Sequence, residues 1–232
     1  MKYLLVLICL ISVFLIAAVI TPDMTPGGFV FKNQDQSVYF GDKENGNYTR
    51  IEADGTIVFV GSAGVWDDIR IETSNLRSGG TPPSYAAMPD GIYGVRFDDA
   101  SVEEVYGNFE LPHGYKENSN LEVHIHWMPS TNNTGNSNVQ FLYNCAGMNG
   151  NFASTATTLS SFAKGSGDIQ RHQYSQIGYI NGAGKKVSDM CKFTYKRNGT
   201  ASDDTGTFDM WMFDIDIHYQ IDKVGSREML NN

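Results

Sequence analysis

The sequence predicts an all-β fold, a jelly-roll-like antiparallel β-sandwich preceded by an extended hydrophobic N-terminal segment. Three observations support this. Apolar and polar residues alternate with period two in many short segments. Turn-forming residues separate those segments at short intervals. The composition, with 24 Gly, 12 Tyr and 13 Phe but only 19% charged residues, suits short strands joined by tight turns.

Most of the predicted strands are short and follow one another at turn-like spacing. The clearest have alternating or β-branched residues bounded by Gly, Asn or Asp. They cover residues 28–32, 37–40, 56–60, 91–97, 121–127, 139–145, 173–180 and 192–195. Eight or more such strands imply two packed sheets rather than one.

The strongest strand signal lies near the C-terminus, at 208–222. Its odd positions, including Trp211, Phe213 and Ile215, are predicted to form a dry face, and Asp214, Asp216 and His218 an acidic wet face. Residues 101–106 carry the one hint of a helical turn. We expect long loops at 74–89, which is rich in Gly and Pro, and at 147–167, which is rich in Ser, Thr and Gly.

An uncharged, apolar run extends from Tyr3 to Ile20, and the Pro- and Gly-containing segment 21–28 ends it. The run suits a secretory signal peptide, although no good small-x-small cleavage site follows it. It is also long enough for a membrane anchor, or for burial between subunits of a polymer. We therefore divide the chain into a hydrophobic leader (1–20), an extended linker or strand segment (21–50) and a β-sandwich domain (51–232).

The net charge of −9 disfavours two classes of partner. Proteins gain affinity for nucleic acid when basic patches release its counterions, and an acidic chain lacks this source of affinity. We therefore predict no nucleic-acid binding. Anionic lipid surfaces are disfavoured for the same reason, and any membrane contact is expected only transiently or through residues 1–20.

Two features of the sequence would matter if the chain is exported, namely its cysteines and its sequons. Cys9 lies within the apolar run, whereas Cys145 and Cys191 belong to the body and would be free to form a disulfide in an oxidising compartment. The sequence does not fix their separation. Asn47, Asn132 and Asn198 each begin an N-x-Thr sequon, so a glycoprotein is predicted if the chain meets the transferase.

The histidine pair His124 and His126 resembles the paired metal ligands of cupins, but no downstream Glu completes that pattern. Strand alternation turns both side chains to the solvent side, away from the core where a cupin metal would bind. We predict no bound metal, and name His124, His126 and His218 as weak candidate ligands. If the strands were neighbours, Asp214, Asp216 and His218 would join the pair in a cluster able to bind a divalent ion.

Other chemistry is not indicated. The acidic pairs Asp67-Asp68 and Asp98-Asp99 lack the context of a calcium loop. No Gly-x-Ser-x-Gly elbow or phosphate-binding glycine loop is present. We predict no catalytic residues, no cofactor and no enzymatic activity.

Several motifs together resemble an uncharacterised family often encoded among phage structural genes. The motifs are 65–70 (V-W-D-D-I-R), Pro82-Pro83, 90–93, 97–99, 110–117 (E-L-P-H-G-Y-K-E) and 124–127 (H-I-H-W). The resemblance covers roughly 57–152. It implies a β-sandwich that decorates the virion or forms a fibre on it, with no assigned site residues. Asn118 stands where that pattern usually has Gly, and the export-like leader is a further departure.

These observations predict a structural subunit of an extracellular or virion-associated fibre, a homopolymer assembled through its N-terminal segment. The alternative is a secreted or anchored carbohydrate-binding or adhesion module that recognises surface glycans through exposed aromatic side chains.

Overall fold

The computed structural model describes residues 23–25, 28–30 and 37–225. Contacts divide the chain into two units, 1–64 and 65–232. The division therefore falls after Gly64 rather than at residue 50, and the predicted strand near Ile57 belongs to the first unit. The predicted leader, 1–20, lies outside the described residues, as does most of the adjoining segment up to 36. Among the residues described, no helix is long and apolar enough to cross a membrane.

The first unit contains two small antiparallel sheets. One pairs β1 (Asp23–Thr25) with β2 (Gly28–Val30). The other is the meander β3 (Val38–Asp42), β4 (Asn47–Ile51) and β5 (Ile57–Val60). A single 3₁₀ turn at Gly61–Ala63 follows.

The second unit confirms the predicted antiparallel β-sandwich. Its strands are β6 (Val65–Glu72), β7 (Arg77–Ser78), β8 (Ser84–Ala87), β9 (Tyr93–Phe97), β10 (Val102–Glu110), β11 (Leu121–Pro129), β12 (Asn136–Ala146), β13 (Thr157–Lys164), β14 (Gln173–Ile180), β15 (Met190–Asn198) and β16 (Met210–Ile221). One sheet has the order β13-β12-β15-β10-β7, and the other has the order β14-β11-β16-β9-β8, with β6 also paired to β16.

Some predictions of local structure are wrong. Residues 101–106 start strand β10 instead of a helical turn. The expected loop at 147–167 contains β13, and the one at 74–89 contains β7 and β8. β7 is only two residues long, and β8 and β13 are rich in Ser, Thr and Ala, so alternation does not reveal them.

The core lies between the two sheets of the second unit. Inward-facing residues of β11 and β16, such as Ile125 and Ile217, meet those of β12 and β15, such as Phe141 and Phe193. Packing of this inner face fixes which side chains point the other way, because successive strand residues alternate between faces. The other side of the β14-β11-β16-β6 strands is therefore a fixed surface, which we call the outer face.

Candidate functional site

The outer face is built around the pairing of β11 with β16. Their antiparallel register sets Glu122 opposite His218, His124 opposite Asp216, and His126 opposite Asp214. The condition for the predicted cluster, that these strands be neighbours, is met. All six side chains belong to one surface because each pair lies on the non-core side of the pleat.

The flanking strands extend this surface on both sides. On β14, Tyr179 lies opposite Glu122 and Tyr174 lies opposite His126. On β6, Asp68 lies opposite His218 and Trp66 lies opposite Gln220.

The side chain of His124 is covered although it points outward. Only 4% of His124 is exposed, because the ring of Tyr174 lies over it at 4.7 Å between centroids. The expectation of a surface histidine is thus wrong for this residue. Burial, together with the nearby His126, lowers the pKa of His124, so the neutral imidazole is favoured.

His124, His126 and Asp216 converge on one point. The Oδ2 atom of Asp216 lies 3.7 Å from Nε2 of His124 and 3.6 Å from Nε2 of His126. Both separations exceed the length of a normal hydrogen bond. Asp216 is only 2% exposed, and burial, with the neighbouring Asp214, raises its pKa. We call these three residues the histidine cluster.

A second layer holds the two imidazoles. Nδ1 of His126 lies 2.9 Å from Nε2 of His172 in a hydrogen bond. Nδ1 of His124 lies 3.7 Å from Oε1 of Glu122. That carboxylate accepts hydrogen bonds from the hydroxyls of Tyr174 and Tyr179. His172 and Glu122 were not singled out by the sequence, since neither belongs to a motif.

His218, the third candidate ligand, is near but separate. Its ring centroid is 5.8 Å from that of His124, and its Nδ1 lies 3.4 Å from Oδ1 of Asp68. The side chains of His218 and Asp68 are 36% and 44% exposed, so both remain accessible to water.

An open cleft of about 460 Å³ adjoins the outer face. Two large aromatic side chains line it, Trp66 at 50% exposed and Tyr179 at 51%. We call this the aromatic cleft; its other lining residues are Lys116, Glu117, Asn118, Ser119, Asn120 and Gln220. Oδ1 of Asn118 accepts the N–H of Gly184, and Oδ1 of Asn120 accepts that of Gly182. These bonds fix both side chains and leave their amide NH₂ groups as donors.

A larger groove of about 700 Å³ lies between β6 and β10. Its charged lining includes Arg70, Arg77 and Lys192, and Tyr106 is its one exposed aromatic side chain. It therefore lacks the paired rings of the aromatic cleft.

The paired cysteines form the predicted disulfide. Cys145 of β12 lies directly opposite Cys191 of β15, and their sulfur atoms are bonded. Such a bond is consistent with an oxidising, extracellular environment.

The three sequon asparagines all lie outside the core. Oδ1 of Asn47 accepts hydrogen bonds from the backbone and hydroxyl of Ser62. Oδ1 of Asn132 accepts the N–H of Ile169, and Oδ1 of Asn198 accepts the hydroxyl of Thr200. Their glycosylation stays a prediction.

Three carboxylates also meet at the end of β9, because Asp209 joins the predicted pair Asp98 and Asp99. Local contacts account for this group. The Asp98 carboxylate accepts a hydrogen bond from the backbone N–H of Ala100 in the same turn. The Asp209 carboxylate accepts a hydrogen bond from the backbone N–H of Asp99 and forms a salt bridge with Arg96.

No protein-family model matches the chain, and no curated protein matches it. Among solved structures it is similar to carbohydrate-binding module CBM36 in complex with calcium and xylotriose, with 16% identity, a TM-score of 0.38, and coverage of 64% of this chain and 98% of that one. It is also similar to the CBM36-1 domain of a multidomain xylanase from the hindgut metagenome of Trinervitermes trinervoides, with 10% identity, a TM-score of 0.39, and coverage of 65% and 96%.

A third similar structure is a family 35 carbohydrate-binding module from Clostridium thermocellum, with 12% identity, a TM-score of 0.35, and coverage of 64% and 97%. At these values the similarity carries no argument about what this chain binds.

Proposed function

We propose that the second unit, 65–232, is a non-catalytic carbohydrate-binding module and that the aromatic cleft is its saccharide site. The observation that carries this proposal is the pairing of Trp66 and Tyr179 in one open cleft, each with half of its surface exposed. Large exposed aromatic rings leave apolar area in water, and a ligand with an apolar face can cover it.

Saccharides have the complementary chemistry. The C–H groups of a pyranose form a flat apolar face that stacks on an aromatic ring, while its hydroxyls require donors and acceptors at the rim. The NH₂ groups of Asn118 and Asn120 supply donors, and Lys116 supplies a charged donor. The side-chain amide of Gln220 supplies both a donor and an acceptor. A few polar groups around an apolar platform is the usual composition of a small-molecule site.

The fixed position of Tyr179 supports the proposal. Its hydroxyl donates to Oε2 of Glu122 at 3.1 Å. The ring of Trp66 rests edge-on against His218, with 5.2 Å between centroids. The rings of Tyr179 and Trp66 are thus held in place before a ligand binds, which reduces the conformational entropy lost on binding.

The test is a glycan array probed with the full chain, followed by affinity measurements on the best saccharide. We expect Trp66→Ala and Tyr179→Ala each to weaken binding about tenfold or more, equivalent to about 1.4 kcal/mol. Tyr179→Phe retains the ring and should bind nearly as well as the wild type.

The matched control is Tyr85→Ala, because Tyr85 is an exposed tyrosine on β8, outside the cleft. Its removal should leave saccharide affinity unchanged. Absence of binding to every glycan, or equal binding by Trp66→Ala and the wild type, would contradict the proposal.

The fibre hypothesis depends on the N-terminal segment, of which the hydrophobic leader, 1–20, and most of 21–36 lie outside the described residues. Self-assembly and the virion-associated role therefore stay predictions.

A further inference from the structure

We propose that the histidine cluster is a binding site for a divalent transition-metal ion, most suited to zinc, with Nε2 of His124, Nε2 of His126 and Oδ2 of Asp216 as ligands. The site is independent of the carbohydrate proposal, because the aromatic cleft contains none of these three residues.

The spacing of the three ligand atoms is the first argument. Metal–ligand bonds of about 2.0–2.2 Å in a tetrahedral site place ligand atoms about 3.3–3.6 Å apart. The separations of 3.7 and 3.6 Å between Oδ2 of Asp216 and the two Nε2 atoms are close to these values. They are too long for direct hydrogen bonds, so an ion between the atoms explains the spacing better than contacts among them.

The second argument is that buried polar atoms at this point lack partners. Oδ1 of Asp216 and Nδ1 of His124 accept or donate no hydrogen bond among the described residues. Both residues are more than nine-tenths buried. An isolated buried carboxylate is costly unless a cation or hydrogen bonds compensate it. A divalent ion on Oδ2 would compensate the charge of the whole Asp216 carboxylate, whereas Nδ1 of His124 lies on the other side of its ring and would not contact the ion.

The second layer of contacts is the third argument. A metal-bound histidine usually presents its other ring nitrogen to an acceptor that fixes the ring. With the ion on Nε2 of His126, Nδ1–H can donate to Nε2 of His172 at 2.9 Å. Nδ1 of His124 faces the Glu122 carboxylate at 3.7 Å, which is too far for a hydrogen bond but close enough for electrostatic attraction.

The donor set determines the class of ion. Two imidazoles and one carboxylate suit zinc and neighbouring transition metals, whereas calcium and magnesium prefer oxygen ligands alone. Three protein ligands leave a further coordination position for water or a bound molecule. Of the residues that the sequence predicts near this point, the site uses His124, His126 and Asp216 and leaves out Asp214 and His218. The side chain of His218 is 36% exposed, against 3% for that of Asp216.

The experiment uses the untagged full chain, stripped with chelator and titrated with Zn²⁺ alone against a chromophoric competitor. We expect saturable binding of one ion per chain, together with a rise in the melting temperature. Asp216→Asn and His126→Ala should each weaken Zn²⁺ binding by more than about tenfold, and His172→Ala by about tenfold.

Two histidines serve as controls. His113→Ala removes a histidine outside the outer face and should leave Zn²⁺ affinity unchanged. His218→Ala should change it less than about threefold. Circular dichroism reports folding of each variant. If Asp216→Asn fails to fold, the Zn²⁺ affinity of His126→Ala tests the proposal alone. The side chain of His126 is 24% exposed, against 3% for that of Asp216, so its removal disturbs the packing less.

Three results would overturn the proposal. They are an absence of saturable Zn²⁺ binding by the wild type, wild-type affinity in His126→Ala, and loss of binding in His218→Ala with retention in His126→Ala. None of these measurements involves a saccharide, so failure of the metal site is distinguishable from failure of the carbohydrate proposal.

Discussion

Glu103 is a carboxylate on the inner side of β10 and is buried. One of its oxygens accepts the backbone N–H of Asp98 at 2.6 Å. Burial raises the pKa of Glu103, and the nearby carboxylates of Asp98 and Asp209 add to this, while the Asp98 hydrogen bond and Arg197 oppose it. The protonated form is therefore favoured in the folded protein relative to the unfolded chain.

This shift makes stability fall as pH rises. Above the ordinary glutamate pKa of 4.5, the folded state still holds a proton that the unfolded state has released, so the free energy of unfolding decreases up to the raised folded pKa. Glu103→Gln removes the charge and keeps an oxygen for the Asp98 N–H. We expect its melting temperature to exceed that of the wild type at pH 7, with the gap closing as pH falls to 4.5.

Thermal unfolding at several pH values measures this gap. Glu110→Gln is the matched control, since Glu110 lies on the same strand with an exposed side chain. It should change the melting temperature little at any pH. If the difference in melting temperature between Glu103→Gln and the wild type does not vary with pH, burial of the Glu103 charge does not destabilise the folded protein.

Single residues also show where sequence reasoning stops. Alternation along β11 correctly predicts that His124 and His126 point away from the core. It does not predict that Tyr174 of another strand covers His124. Nor does it predict that the side chains of Asp204 and Arg197 form a buried ion pair at 3.3 Å. The first contact joins residues of two strands that are distant in sequence, and the second depends on how the turn after β15 folds back on that strand.

At the scale of elements, a bulge in β16 interrupts the period-two alternation of inward-facing and outward-facing residues. The register with β11 shifts between His126 and Trp127, leaving Phe213 as an extra residue on β16. Met210 and Met212 face the core before the bulge, and Ile215 and Ile217 face it afterwards. A bulge changes which positions point inward. The predicted dry face thus points inward from Ile215 onward, whereas Trp211 and Phe213 lie on the other face, where Trp211 is nevertheless buried.

The disulfide joins two neighbouring strands of one sheet. Cys145 and Cys191 are separated by 46 residues, and closing a loop of that length in the unfolded chain is worth about 4 kcal/mol in the chain-entropy model. We expect Cys145→Ala combined with Cys191→Ala to lower the free energy of unfolding by about 2–4 kcal/mol. In a domain of this size that corresponds to about 4–16 °C in melting temperature.

Reduction provides the control for this prediction. A thiol-free phosphine should lower the melting temperature of the wild type by a similar amount and should not affect the double variant. An unchanged wild-type melting temperature after complete reduction, verified by thiol titration, would show that the strand pairing alone supports this part of the sheet.

At the scale of the whole molecule, the fold class follows from composition and period-two alternation, whereas the site does not. The predicted residues His124, His126 and Asp216 meet because β11 pairs with β16, and adjacency of strands is a property of topology that short sequence segments do not encode. The aromatic cleft is likewise assembled from β6, β14, β16 and the segment 116–120. Trp66, Tyr179 and Gln220 lie far apart in sequence, so no motif brings them together.

The second unit contains everything needed for its own core. Every buried apolar residue of that core lies between Ile71 and Tyr219, and every sandwich strand has its partners within 65–232. We therefore expect the fragment 65–232 to be soluble and monomeric and to unfold cooperatively, as measured by thermal denaturation and sedimentation. If the N-terminal segment drives assembly, filaments seen by electron microscopy should form from the full chain and not from this fragment. Filaments from the fragment alone would assign assembly to the sandwich, and a fragment without a cooperative transition would show that residues 1–64 contribute to its fold.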